Sequence, residues 1–234
     1  MKLNDFLNEA DKMGDHYNEY SAKVSSKPAY DTLGKGNFAT VIKKKSDDNH
    51  VYKISKTYQK NPDHDVAYSY LKSSMNNHTS NSLFPKVHAL HVIPHNDGNI
   101  HISKMEKLHS VDDLHPSERL KMFHHTFGHE VKGASDISTD AIALHLRKHR
   151  LNHEEKGTHD PKLPEHTRNH IEHINSLISK IDKDNPKAGP RQDIHGGNIM
   201  ARKTSEGHQL VLNDPVVSSN DVFRHNKEIH NFKF

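Results

Sequence analysis

Alternation of apolar and polar residues predicts a β-rich first half of the chain. Over residues 30–55, short alternating runs around glycines and a polar turn predict a β-hairpin followed by a third strand. Residues 87–108 predict a second hairpin that turns at Asn96-Asp97-Gly98. Apolar residues at helical spacing predict a leading helix within residues 3–22 and another helix over residues 63–76.

Helical periodicity dominates the second half of the chain. Pro116 and Pro164 each precede polar residues typical of a first helical turn, so a helix is predicted to start at each of them. The second of these helices should run to about Ile181, because its apolar residues recur at helical spacing. Residues 201–212 predict a hairpin that turns at Ser205-Glu206-Gly207.

These elements together predict an α+β fold with two lobes. Residues 1–108 would form the leading helix and a β-rich N-lobe. Residues 109–234 would form a helical C-lobe.

Composition narrows the class of protein. Only 32% of the residues are hydrophobic, and the mean hydropathy is -0.94. No membrane-spanning apolar stretch and no signal-peptide core occur, so we expect a cytoplasmic protein that does not contact a membrane. The absence of cysteine excludes disulfides and thiolate chemistry. With 33 basic and 30 acidic residues spread along the chain, direct nucleic-acid binding is not expected.

Histidine is unusually abundant, with 24 residues. Pairs at the helical spacing i,i+4, which can bind zinc, are His125/His129, His145/His149, His149/His153 and His166/His170. No His-Glu-x-x-His motif is present, and spacing fixes no third ligand. We therefore interpret these residues as surface histidines.

The strongest indication of a chemical function is the segment Asp193-Ile-His-Gly-Gly-Asn198. It places a carboxylate and an amide five residues apart, and a second carboxylate, Asp214, follows across the predicted hairpin. Phosphoryl transfer from a nucleotide uses one aspartate to orient the attacking hydroxyl, and an asparagine and an aspartate to hold Mg²⁺. Asp193 is therefore the predicted catalytic base, and Asn198 and Asp214 are the predicted metal ligands.

The β-rich half carries residues suited to a nucleotide. Two glycines on the first hairpin would let backbone N–H groups approach phosphate oxygens. Lys53, on the next strand and on the same face as Val51, would project beneath them and neutralise phosphate charge. Backbone groups at the end of the second hairpin would bind adenine. The predicted nucleotide-binding residues are Leu33, Gly34, Lys35, Gly36, Val41, Lys53, Met105, Glu106 and Leu108.

In order and spacing these elements resemble a protein-kinase-like phosphotransferase. The resemblance implies a two-lobed protein-kinase-like fold. The β-rich N-lobe, residues 1–108, would bind the nucleotide, and the reduced helical C-lobe, residues 109–234, would carry the catalytic loop and the metal-binding hairpin. The segments LGKGNFATV, VYKI, DIHGGNIM and NDPV are similar to those of the early serine/threonine protein kinases of short-tailed lytic bacteriophages of enterobacteria. The resemblance implies ATP- and Mg²⁺-dependent phosphorylation of host proteins in the host cytoplasm, together with autophosphorylation. It also implies a part in redirecting host transcription and RNA processing. The long basic C-terminal region tied to transcription shutoff has no counterpart here.

Two departures from the usual kinase pattern lie close to the catalytic segment. His195 replaces the lysine two residues after the catalytic aspartate. It is a candidate catalytic residue beside Asp193 and Lys53, because it can donate a hydrogen bond to the γ-phosphate. Asp214-Pro215-Val216 replaces Asp-Phe-Gly, so the aromatic switch of regulated kinases is missing.

A third departure concerns the partner of the strand lysine. No glutamate lies between Lys53 and Glu106, so the predicted acidic partner of Lys53 is Asp65 or Asp63. The missing glutamate leaves open a pseudokinase that only binds its partners. A histidine at position 195 is also typical of aminoglycoside and choline phosphotransferases, so a small-molecule acceptor stays open as well.

Residues 109–163 are long for a connection between the hinge and the next helix. We expect this helical insert to form the substrate-facing surface. Its deletion should then spare ATP binding and abolish transfer to the substrate.

Overall fold

The computed structural model describes residues 26–36, 39–95, 98–128, 135–157 and 160–219. The predicted leading helix within residues 3–22 lies outside these ranges, as do Asn96, Asp97 and His129. The described part confirms an α+β fold, with four α-helices and a five-stranded antiparallel sheet.

Groups of strands precede and follow the helices along the described chain. The strands are β1 (Tyr30–Lys35), β2 (Ala39–Lys44), β3 (His50–Thr57), β4 (Val87–His95), β5 (Gly98–Glu106), β6 (His109–Ser110), β7 (Pro190–Gln192), β8 (Ile199–Thr204), β9 (Gly207–Leu212) and β10 (Val216–Ser218). The helices are α1 (Val66–Asn77), α2 (Pro116–Phe127), α3 (Thr139–Lys156) and α4 (Glu165–Asp184).

The large sheet has the strand order β1-β2-β3-β5-β4. It confirms the hairpin and third strand over residues 30–55 and the second hairpin over residues 87–108. β3 pairs along its whole length with β5. Lys53 therefore lies at the centre of the sheet, between Val41 of β2 and Ser103 of β5.

Helix α1 begins three residues later than the sequence predicts. Residues Pro62–His64 form a 3₁₀ turn, and Asp65 follows in extended conformation. The Asp65 carboxylate accepts the N–H of Tyr68 at 2.5 Å and so caps the helix. An aspartate in this position satisfies a backbone donor that the first turn leaves unpaired, so the helix starts after it, at Val66.

The second half folds around one apolar core. Both predicted helix starts are confirmed to within one residue, since α2 begins at Pro116 and α4 at Glu165. The hairpin over residues 201–212 is confirmed as β8 and β9. In the described ranges no helix has the length and apolarity that crossing a bilayer requires. The predicted stripe of α4 is buried in the core, at Ile171, Ile174, Leu177 and Ile181.

Helices α2 and α3 belong to the same core and are not a separable insert. Met122 and Phe123 of α2 and Ile142 and Leu146 of α3 are fully buried beside the α4 stripe. Deleting residues 109–163 would remove these side chains from the core. The predicted deletion therefore cannot separate ATP binding from transfer.

Several histidines lie in the core, so the surface interpretation is wrong for them. His149 is buried, and its ring lies 6.1 Å from that of Phe127. His170 is fully buried beside Tyr70, whose hydroxyl donates to the Leu212 carbonyl at 2.7 Å. Since that hydroxyl has one proton, the His170 Nε2–H donates to the Tyr70 oxygen at 3.3 Å. The rings pack as neutral aromatic groups.

Acid should unfold the protein in part through His170. Burial lowers the pKa of His170 to about 3, and the nearby His173 and His166 act in the same direction. In the unfolded chain the imidazole takes up a proton near pH 6.5, whereas in the folded protein it stays neutral until about pH 3. Because protonation favours the unfolded chain over this range, the free energy of unfolding decreases as pH falls from about 6.5 towards 3.

In His170→Gln the side-chain Nε2 can still donate to Tyr70 but does not titrate. We therefore expect the free energy of unfolding to depend less on pH in this variant. Between pH 7.5 and 5.5 the free energy of unfolding should fall by about 1.4 kcal/mol less in the variant than in the wild type. Urea unfolding at the two pH values measures the difference. Equal losses in both proteins would contradict this account of His170.

Candidate functional site

The predicted strand lysine and the predicted metal ligand meet in the structure. Lys53 Nζ of β3 lies 2.7 Å from Asp214 Oδ2, beyond the end of β9. The lysine side chain is only 7% exposed and the aspartate side chain 31%. A buried ammonium needs a countercharge, because its desolvation is otherwise uncompensated. The contact thus ties the large sheet to the β8–β9 hairpin.

Asn198 joins the two predicted aspartates. Its side-chain Nδ2 donates to the backbone carbonyls of Asp193 and Asp214, each at 2.7 Å. The same nitrogen lies 3.3 Å from Asp193 Oδ2. Because both bonds use the nitrogen, the side-chain Oδ1 faces the other way, with no hydrogen-bond partner among the described residues.

The side-chain oxygens of Asp214 and Asn198 that accept no hydrogen bond from the described residues suit a hard divalent cation. Asp214 Oδ1 is buried and has no hydrogen-bond partner among the residues that the structure describes. Together with Asn198 Oδ1 it forms a pair of oxygen donors of the kind that Mg²⁺ prefers. The donor set therefore fits the magnesium that the sequence predicts.

Short backbone pairings hold residues 193–198 in place. β7, just before Asp193, pairs with β10, just after Asp214. The N–H of Asp193 donates to the Pro215 carbonyl at 2.6 Å, and that of Asn213 to the Asn198 carbonyl at 2.9 Å. Residues Gly196–Asn198 form a 3₁₀ turn between β7 and β8. The two carboxylates are thus fixed by backbone geometry rather than by side-chain contacts alone.

Tyr70 of α1 contacts the end of β9 and so helps to position Asp214. This role was not predicted from the sequence. The tyrosine hydroxyl donates to the carbonyl of Leu212, which is two residues before Asp214. Burial, and then the charge of Asp214, raise the pKa of Tyr70 well above its usual value. The tyrosine therefore stays a neutral donor. The sequence places Tyr70 only within the predicted helix over residues 63–76 and does not single it out.

A cavity of about 380 Å³ opens beside Lys53. It is lined by Leu33, Gly34, Val41, Val51, Lys53, Met105, Glu106, Leu108, Gly197, Met200 and Asn213. All predicted nucleotide-binding residues except Lys35 and Gly36 contribute to this lining. The sequence did not single out Gly197, Met200 or Asn213, because their approach to the sheet depends on tertiary packing.

The end of the first hairpin differs from the prediction. The N–H of Gly36 donates to the Ala39 carbonyl at 2.8 Å, so this donor closes the turn and is not free for phosphate. Lys35 is exposed, and Gly34 lies in the cavity wall.

Neither predicted partner pairs with Lys53. Among the described residues, the carboxylate within ion-pair distance of Lys53 is Asp214. Asp63 instead pairs with Lys72 on the surface at 3.0 Å. Asp65 is buried as the cap of α1, and its charge acts on His101 of β5. Burial lowers the pKa of His101, the Asp65 charge opposes that shift, and the Lys53 charge adds to it.

Glu106 has a structural role at the cavity edge. Its carboxylate forms a two-bond pair with Arg202 of β8, at 2.6 and 2.8 Å, with the two side chains 12% and 8% exposed. Arg202 also donates to the carbonyls of Ser82 and Phe84. The pair fixes the end of β5 against β8. Only backbone atoms of this segment therefore remain available to a ligand.

No protein-family model matches the chain, and no curated protein matches it significantly.

Glu106→Gln should destabilise the protein by about 3 kcal/mol, because it leaves the buried Arg202 guanidinium without a countercharge. A matched control is Asp48→Asn, which breaks an ion pair of similar length, 2.7 Å to Lys43, at a residue whose side chain is 80% exposed. That variant should unfold at nearly the wild-type urea concentration. Similar midpoints for the two variants would show that the Glu106–Arg202 pair is not stabilising.

Proposed function

We propose that the protein is an ATP-dependent serine/threonine protein kinase with a two-lobed, kinase-like fold. The observation that carries the proposal is that Lys53, which lines the cavity, pairs with Asp214, and that Asn198 is hydrogen-bonded to both Asp214 and Asp193. These four side chains come from segments up to 161 residues apart, yet they supply a cation, a base and two metal ligands together.

The cavity fits the nucleotide in a defined direction. Its apolar side chains, Val41, Val51 and Met200, suit the faces of an adenine ring. The N–H of Leu108 has no hydrogen-bond partner among the described residues and can donate to the adenine edge. The triphosphate then extends towards Lys53, whose charge offsets that of the phosphates.

Asp193 is the base in the proposed reaction. The acceptor hydroxyl oxygen forms a bond to the γ-phosphorus, the bond from that phosphorus to the β–γ bridging oxygen breaks, and the hydroxyl proton passes to Asp193. Asn198 and Asp214 would hold Mg²⁺, which would neutralise charge on the phosphates. Because the base and ligands are held by backbone bonds, little reorganisation is needed at the moment of transfer.

Helix α3 supplies one wall of the acceptor site. Its first turn packs on the catalytic segment so closely that a Cβ at Gly196 would lie 2.8 Å from Asp140 Oδ1 and 3.5 Å from Thr139 Cγ2. The exposed Asp140 carboxylate is therefore a charge that this helix presents beside Gly196, three residues after Asp193. A protein acceptor follows from the resemblance of DIHGGNIM and NDPV to the phage kinases.

Asp193→Asn and Asp214→Asn should each lower phosphoryl transfer by about a hundredfold or more, because positioned bases and charges supply effects of that order. Asp182→Asn, at an exposed position of α4, is the matched control and should keep wild-type activity. The assay uses γ-labelled ATP and Mg²⁺ with host-cell lysate and with a mixture of aminoglycosides and choline. Labelled protein supports the proposal, labelled small molecules indicate the other class of phosphotransferase, and no label would indicate a pseudokinase.

Charge reversal at the start of α3 should change acceptor recognition and leave the nucleotide unaffected. Asp140→Lys should raise the KM for peptides with basic residues near the acceptor hydroxyl and lower it for acidic peptides. The KM for ATP should not change. Glu155→Lys, exposed at the other end of the same helix, controls for the loss of an acidic residue. An unchanged peptide KM in the Asp140 variant would remove α3 from the acceptor site.

A further inference from the structure

His195 is held in one tautomer by the backbone. It is the cap of the 3₁₀ turn Gly196–Asn198, and its Nδ1 accepts the N–H of Gly197 at 3.1 Å. A backbone N–H can only donate, so Nδ1 must carry a lone pair. The neutral ring therefore has its proton on Nε2.

That Nε2–H faces the base. Nε2 lies 3.7 Å from Asp193 Oδ2, just beyond hydrogen-bond distance, so a small movement of either side chain completes the bond. The His195 side chain is 55% exposed and the Asp193 side chain 43%, which leaves both accessible from the acceptor side.

Gly197 makes room for this ring. A Cβ at residue 197 would lie 3.0 Å from His195 Cε1 and 3.2 Å from Nδ1, tighter than most real contacts. A larger residue would therefore require the imidazole to shift by a few tenths of an ångström from its backbone donor. The glycine thus allows the close approach that the hydrogen bond uses.

We propose that His195 is a positioning residue for Asp193. Its fixed Nε2–H holds one carboxylate oxygen, so that the other oxygen is oriented to take the proton of the acceptor hydroxyl. The inference rests on the proposed function. The sequence predicts that His195 donates a hydrogen bond to the γ-phosphate; here His195 instead orients the carboxylate of Asp193.

The kinetic test compares three substitutions with the wild type. His195→Ala should lower kcat about tenfold and leave the KM for ATP unchanged, since the lysine and metal ligands are untouched. His195→Gln, whose Nε2 can reach the same carboxylate, should recover part of the loss. Gly197→Ala should lower kcat although the histidine is present. His208→Gln, on β9 beside Glu118, is the control and should retain wild-type activity.

The second readout is independent of catalysis. Long-range ¹H–¹⁵N spectra of the free protein, assigned by the signal missing in His195→Gln, should show Nε2–H for His195 and a mixture of tautomers in Gly197→Ala. An Nδ1–H tautomer, or a wild-type kcat in His195→Ala, would overturn the inference while the kinase stands. Absence of transfer by the wild type would instead overturn the proposed function, and this inference with it.

Discussion

The ion pair between Lys53 and Asp214 is the contact on which the rest of the site depends. Lys53 lies at the centre of a sheet and is almost entirely removed from water, so the fold must bring a carboxylate to it. The carboxylate arrives from a segment 161 residues later, at the end of the β8–β9 hairpin. Every element that positions this hairpin, including the β7–β10 pairing and the Asn198 amide, therefore positions the site as well.

Buried polar contacts let a chain with few apolar residues form this core. Several buried polar side chains of the fold are satisfied by a backbone carbonyl or a countercharge. Arg202 joins Glu106 to two backbone carbonyls, and Tyr70 links α1 to both His170 and β9. These contacts lie next to the cavity and connect the sheet to the helices. Stability and site geometry consequently share the same side chains.

Much of this architecture was predictable, because local patterns encode it. Alternation identified both hairpins, and the spacing of apolar residues identified α4. The predicted start of α1 was wrong because Asp65 reads as a helical residue until its capping bond is seen. The partner of Lys53 was missed because pairing across 161 residues leaves no local trace. The burial of histidines was not predicted for a different reason. Histidine counts as a polar residue in a hydrophobic pattern, whereas the neutral imidazole packs as an aromatic ring.

A crystal structure of the protein with Mg²⁺ and a non-hydrolysable ATP analogue tests the proposed site most directly. We expect the adenine ring in the cavity beside Val51 and Met105, the phosphates on Lys53, and the metal on Asn198 and Asp214. A nucleotide bound elsewhere, or a cavity without nucleotide at saturating concentration, would contradict the proposal.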